Sequence, residues 1–255
     1  MSLRKEFALA AYDHFEQLAQ RLAAPVTPKP QTKPLLTSPQ TLARQSPQPD
    51  RLVAIRAARV PLLEAARPLL VALAHMPRQL DVAHALALHG DLAGQVTSFQ
   101  SVCADARVRQ EYIAGVSYTL CTALDEAAGL SARAIGTTVG ANLWSERQLA
   151  VQFHGDARGG ENVFKLVAAL TKNPAEHIDL LELLLIVVAL GFEGLYRKAT
   201  NGKRVLDDIR HTLFSTVRSC RGDDVPVAYW NAVESLLWGR VPPGKFADTA
   251  QELFQ

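Results

Sequence analysis

The chain has 255 residues, 48% hydrophobic and 20% charged, with a mean hydropathy of +0.03, the texture of an ordinary globular protein. A net charge of +2, a pI near 8.5 and 7% aromatic residues exclude the basic stripe and stacking platform of a nucleic-acid-binding protein. The three cysteines (Cys103, Cys121, Cys220) form no CxxC pair, which excludes a disulfide framework and points to a reducing, cytoplasmic setting.

The N-terminus, Met1-Ser2-Leu3-Arg4-Lys5-Glu6-Phe7, has no apolar stretch behind its basic pair and does not read as a signal peptide. Residues 5–24 read as a short amphipathic helix with Phe7, Phe15, Leu18 and Leu22 on or near one face. Residues 25–50 carry Pro25, Pro28, Pro30, Pro34, Pro39, Pro47 and Pro49 among Thr, Ser and Gln. Missing backbone donors and scarce apolar residues predict a disordered linker there, so 1–50 reads as an N-terminal arm able to reach a partner.

The folded domain is expected over 51–240, with Asp50 as N-cap of its first helix and 241–255 as a C-terminal tail. Val53, Val60, Leu63, Leu70 and Leu73 recur at helical spacings, and Pro61 and Pro68 start, kink or divide that stretch. Helices are predicted over 78–106 and 108–128, a loop over 130–142, and short helices over 144–153 and 161–171 joined by a turn at 154–160. An apolar helix over 175–196 reads as the core spine, followed by a tight turn at Asn201-Gly202 and helices over 206–219 and 227–238. Alternating strand-like runs are almost absent, so the predicted class is an all-α multi-helix bundle. The longest uncharged apolar run, 183–192, falls far short of the roughly 20 residues that span a bilayer.

Three segments break this plain texture. The first ends in Asp125-Glu126, placed at the end of an apolar helix. Adjacent helical positions point about 100° apart, so both acids cannot face the core. The helix dipole disfavours them there, so a basic group inside the fold or on another protein is expected to compensate. The second segment is Phe153-His154-Gly155 with Gly159-Gly160-Glu161. Its simplest reading is that His154 ends a helix, the glycines turn the chain and Glu161 starts the next helix. The third is Gly191-Phe192-Glu193-Gly194 with Tyr196-Arg197. Glu193 and Arg197 stand at the i,i+4 spacing of a helical ion pair, and the glycines admit close backbone approach. The seven histidines form no HxxxH or HExxH motif, and GxxxxGK[ST], GxGxxG and GxSxG are absent, so no metal, cofactor, nucleotide or small-molecule substrate is called for.

The ordered set Leu120-Cys121, Leu124-Asp125-Glu126-Ala127, Trp144, the two glycine segments and Asp179-Leu180-Leu181-Glu182-Leu183 resembles the DotU/IcmH/TssL family of bacterial secretion systems over roughly 61–219. The resemblance implies two packed three-helix sub-bundles in a hook or boat shape, and a scaffold rather than an enzyme. It implies a place on the cytoplasmic side of the inner membrane in a type VI or IVB-like apparatus. It implies an IcmF/TssM-like membrane partner and a TssK-like baseplate partner, leaves a homodimer open, and puts Asp125 and Glu126 on the partner-binding surface. The chain departs from the family at the long, Trp-free 129–140 loop, at Arg158 and at Leu195. Relatives continue into a transmembrane helix; here either the sequence stops short of it or anchoring runs through partners. Two other readings remain open at this level: an all-α enzyme using Asp125, Glu126 and His154, and a helical adaptor unrelated to secretion.

Overall fold

The computed structural model describes residues 49–133 and 144–253. The helix expected over 5–24, residues 25–48 of the proline-rich segment and residues 134–143 of the expected loop lie outside them. Among the described residues the regular elements are helices and no strand occurs. They are α1 (Pro49–Ala57), α2 (Pro61–Ala74), α3 (Val82–Asp105), α4 (Gln110–Arg133), α5 (Leu149–His154), α6 (Gly159–Leu170), α7 (Ile178–Ala189), α8 (Gly202–Arg221), α9 (Val227–Leu237) and α10 (Pro243–Leu253), with a short 3₁₀ turn at Gly194–Lys198.

Local chemistry sets several boundaries. Val60 is extended and Pro61 opens α2, where its missing N–H costs nothing; Pro68 lies inside α2 without ending it. Asp50 falls in the first turn of α1 rather than at its cap, still at the positive helix end. α3 starts at Val82, later than the predicted residue 78, because Asp81 caps it by accepting the His84 N–H at 2.9 Å. α4 runs past the predicted end at 128 to Arg133. The helix predicted over 144–153 is interrupted before Leu149. α10, unforeseen in the sequence, packs against α2 and α9 and buries Phe246.

Two helices organise the core. α4 packs against α2, α3, α5, α6 and α7, while α7 also meets α2, α8 and α9. Every residue of α7 from Leu180 to Ala189 is buried, including Glu182. The predicted spine is therefore real but shorter than 175–196. Gly191 takes φ 110° and turns the chain out of the helix. The turn is pinned to α6 by Phe164, whose ring stacks on Phe192 at 5.5 Å and meets Tyr196 edge-on at 4.8 Å. No helix among the described residues is long and apolar enough to cross a membrane.

Candidate functional site

Asp125 and Glu126 stand in the body of α4, two turns before its end. Their 100° separation sends the two carboxylates to different neighbours. Asp125 is 9% exposed. Its Oδ1 accepts the Trp144 indole N–H at 3.0 Å and the Leu149 N–H at 2.9 Å, and its Oδ2 accepts the Ala150 N–H at 2.9 Å. Leu149 and Ala150 open α5, whose own N-cap residue, Gln148, supplies no side-chain bond. A carboxylate from α4 thus caps the positive end of α5. Burial raises the Asp125 pKa above the usual carboxylate range, against the three hydrogen bonds that lower it. His89 supports the same corner: its ring meets Trp144 edge-on at 5.6 Å and its Nε2 bonds the Arg147 carbonyl at 2.7 Å.

Glu126 does the equivalent work on the other side. Its Oε1 accepts the Glu193 N–H and an Arg197 guanidinium N–H, both at 2.9 Å, and its Oε2 accepts the Gly194 N–H at 2.8 Å. These donors open the 3₁₀ turn at Gly194–Lys198. Arg197 also lies 3.5 Å from Glu193, so the predicted i,i+4 pair exists as part of a three-residue cluster. The compensation expected for the acids is internal, and most of it comes from backbone N–H groups. The side chains expected at an open partner-facing surface are turned into the fold, and the carboxylate of Asp125 is not free to meet a partner.

The glycine segments bring α6 and this turn onto α4. Gly155 caps α5 in the left-handed conformation (φ 66°), its N–H donating to Val151 at 2.9 Å. A methyl on Gly159 would stand 2.9 Å from Thr122 Cβ, and one on Gly160 would stand 3.2 Å from Gly194 Cα. One on Gly194 (φ 51°) would come within 2.9 Å of the Phe164 ring. Gly191, by contrast, has open space around it, so the close approach expected there rests on Gly194, and Gly191 serves its positive φ. Glu161 lies in the first turn of α6 and pairs with Lys165. Asp156 braces the preceding turn by accepting the Arg158 N–H at 2.8 Å, the Tyr118 hydroxyl at 2.9 Å and the Asn162 amide at 2.6 Å.

His154 does end α5, but its imidazole bonds Ser117 Oγ at 3.0 Å rather than capping carbonyls. Gln100 donates to the same oxygen at 2.9 Å, leaving the serine hydrogen for a neutral imidazole nitrogen. Burial holds the His154 pKa below the ordinary histidine value. Ser117 is fully buried and lies about 12 Å along α4 from Asp125. His154 and the acidic pair therefore do not converge on one pocket, as the enzyme reading requires. Among the described residues no group of three His, Cys, Asp or Glu side chains is placed to hold a metal ion.

Sequence reasoning missed one polar centre. Glu182 is fully buried in α7. Its Oε1 accepts an Arg59 N–H at 2.7 Å and the Tyr229 hydroxyl at 2.6 Å, and its Oε2 accepts the Arg221 Nε–H at 2.7 Å. Arg221 also reaches Asp179 at 2.6 Å. The available signal was a lone acid within the apolar run 180–190, which needs a buried counter-charge. Nothing in sequence spacing says that Arg59 and Arg221 supply it.

Residues 61–233 match the family model described as Type VI secretion system protein DotU. The comparison with curated proteins finds no match. Among solved structures, the crystal structure of TssL from Vibrio cholerae matches with a TM-score of 0.53 and 25% identity, covering 62% of this chain and 96% of that one.

Proposed function

The chain belongs to the DotU family of type VI secretion system proteins, and from that membership we propose that it links the inner-membrane complex to the cytoplasmic baseplate. The family is a structural component of that system, not an enzyme family. In this reading the domain works at the cytoplasmic face of the bacterial inner membrane, with an IcmF/TssM-like protein on the membrane side and a TssK-like protein on the baseplate side. Asp125 and Glu126 shape the docking surface rather than form its ionic contact. One observation carries this: each carboxylate caps an element that carries an exposed large apolar residue. Val151, on the helix capped by Asp125, is 44% exposed, and Leu195, in the turn capped by Glu126, is 36% exposed. Leu130, one turn beyond Glu126 on α4, is 37% exposed.

The test is calorimetric titration of Leu195→Asp and Val151→Asp chains with the cognate baseplate subunit, beside melting curves. Binding should weaken at least tenfold while the melting temperature holds, because a charge placed in an apolar contact is desolvated only in the complex. Undiminished binding by both folded variants would reject this surface.

A further inference from the structure

α8 and α9 leave an open cleft of about 450 Å³ that neither the glycine motifs nor the acidic pair touches. Phe214 lines its floor, and Trp238, at the end of α9, is 41% exposed on its wall. The Arg218 guanidinium lies 5.9 Å from the Phe214 ring centre. Among the described residues no carboxylate stands within ion-pair distance of Arg218, while Glu234, the acid of the cleft, is engaged by Arg240 at 3.3 Å. An aromatic slot beside an unneutralised guanidinium suits an aromatic anchor flanked by carboxylates.

The chain carries such a segment. Phe15 stands between Asp13 and Glu16, with Leu18 and Leu22 on its helical face in the sequence pattern. The connection reaches. Arg59, just after α1, lies 5.4 Å over the ring of Tyr229, which sits on the same α9 that ends beside Trp238. Tyr229 and Trp238 are about 14 Å apart along that helix. The tether joins α1 at Pro49, about 15 Å of helix before Arg59, and the stretch between residues 24 and 49 has an r.m.s. span of about 27 Å as a flexible chain and reaches about 80 Å when extended.

We propose that the α8–α9 cleft is the docking site of this chain's own N-terminal segment, with Phe15 seated between Phe214 and Trp238 and Asp13 and Glu16 facing Arg218. The contact is intramolecular, so its effective concentration is set by the connecting residues rather than by the amount of protein. The cleft lining includes neither Leu195 nor Val151, and the proposal is independent of the function proposed for that surface.

The full chain carrying the photo-crosslinker benzoylphenylalanine in place of Phe15 tests this. Irradiation should give an intramolecular crosslink within residues 211–238, with a yield unchanged on dilution. Arg218→Glu should lower that yield about fivefold, and combining it with Asp13→Lys and Glu16→Lys should restore it, since both signs are then reversed. Melting curves confirm that the variants are folded; Arg218 is exposed, so its replacement leaves the core intact. A crosslink mapping elsewhere, no crosslink, a crosslink only between chains and lost on dilution, or a yield indifferent to Arg218→Glu would each overturn the proposal.

Discussion

Gly160 and Gly194 touch backbone to backbone: a methyl on Gly160 would stand 3.2 Å from the Cα of Gly194. The contact seats the start of α6 on the turn that ends the core spine. Gly194→Ala should cost about 2–3 kcal/mol, because it adds a clash with Phe164 and Gly160 to the strain of a positive φ. Gly191→Ala, strained but unobstructed, should cost about 1 kcal/mol. Denaturant unfolding of the two variants measures both values; equal losses would show that crowding at Gly194 is relieved by a small backbone shift.

Replacing Asp125 by Ala removes a buried acceptor and leaves the Trp144, Leu149 and Ala150 donors without it. A loss of about 3 kcal/mol or more is expected. Glu126→Ala should cost less, about 1–2 kcal/mol, since water can reach its partly exposed partners. Melting curves decide the point. Variants that melt like the parent chain would return the acids to a free surface.

The buried Glu182 makes the sharpest stability test. Arg221→Ala leaves that carboxylate short of its best-buried counter-charge and should cost about 3–5 kcal/mol. Arg59→Ala should cost less, because Arg59 is more exposed and Arg221 and Tyr229 remain. A double-mutant cycle with Glu182→Gln should return strong coupling to Arg221. Additive losses would mean that the two side chains act separately.

Histidine burial predicts a pH dependence with a definite sign. The His154 pKa is lowered in the fold, so the unfolded chain binds that proton more readily. Its contribution to stability is complete above the ordinary histidine value and is lost as the pH falls through the lowered one. Between about pH 7 and pH 5 the melting temperature should fall, and His154→Gln should flatten that part of the profile. A parallel fall in the variant would assign the effect to other groups.

The helical class and the α7 spine were legible because apolar density needs no knowledge of partners. The end of α7 was not: apolar residues continue to Phe192, and only the positive φ of Gly191 shows that the helix has stopped. α10 escaped notice because Phe246 is its one buried apolar anchor among the residues whose side chains are described. The acidic pair was legible as a pair needing compensation. Its role was not, because the partners are mainly backbone N–H groups 24, 25, 67 and 68 residues away, and every residue but proline carries such a donor.

The ties of Glu182 also order events on the ribosome. Arg59 is made 123 residues before it, whereas Arg221 and Tyr229 follow 39 and 47 residues later. A nascent chain that has just released α7 therefore holds a ten-residue, largely apolar segment with two of its five covering helices still unsynthesised and a glutamate with one of its two arginines. Settlement of that segment must wait for α8 and α9, so the interval between their emergence and that of α7 is when this protein most needs a chaperone.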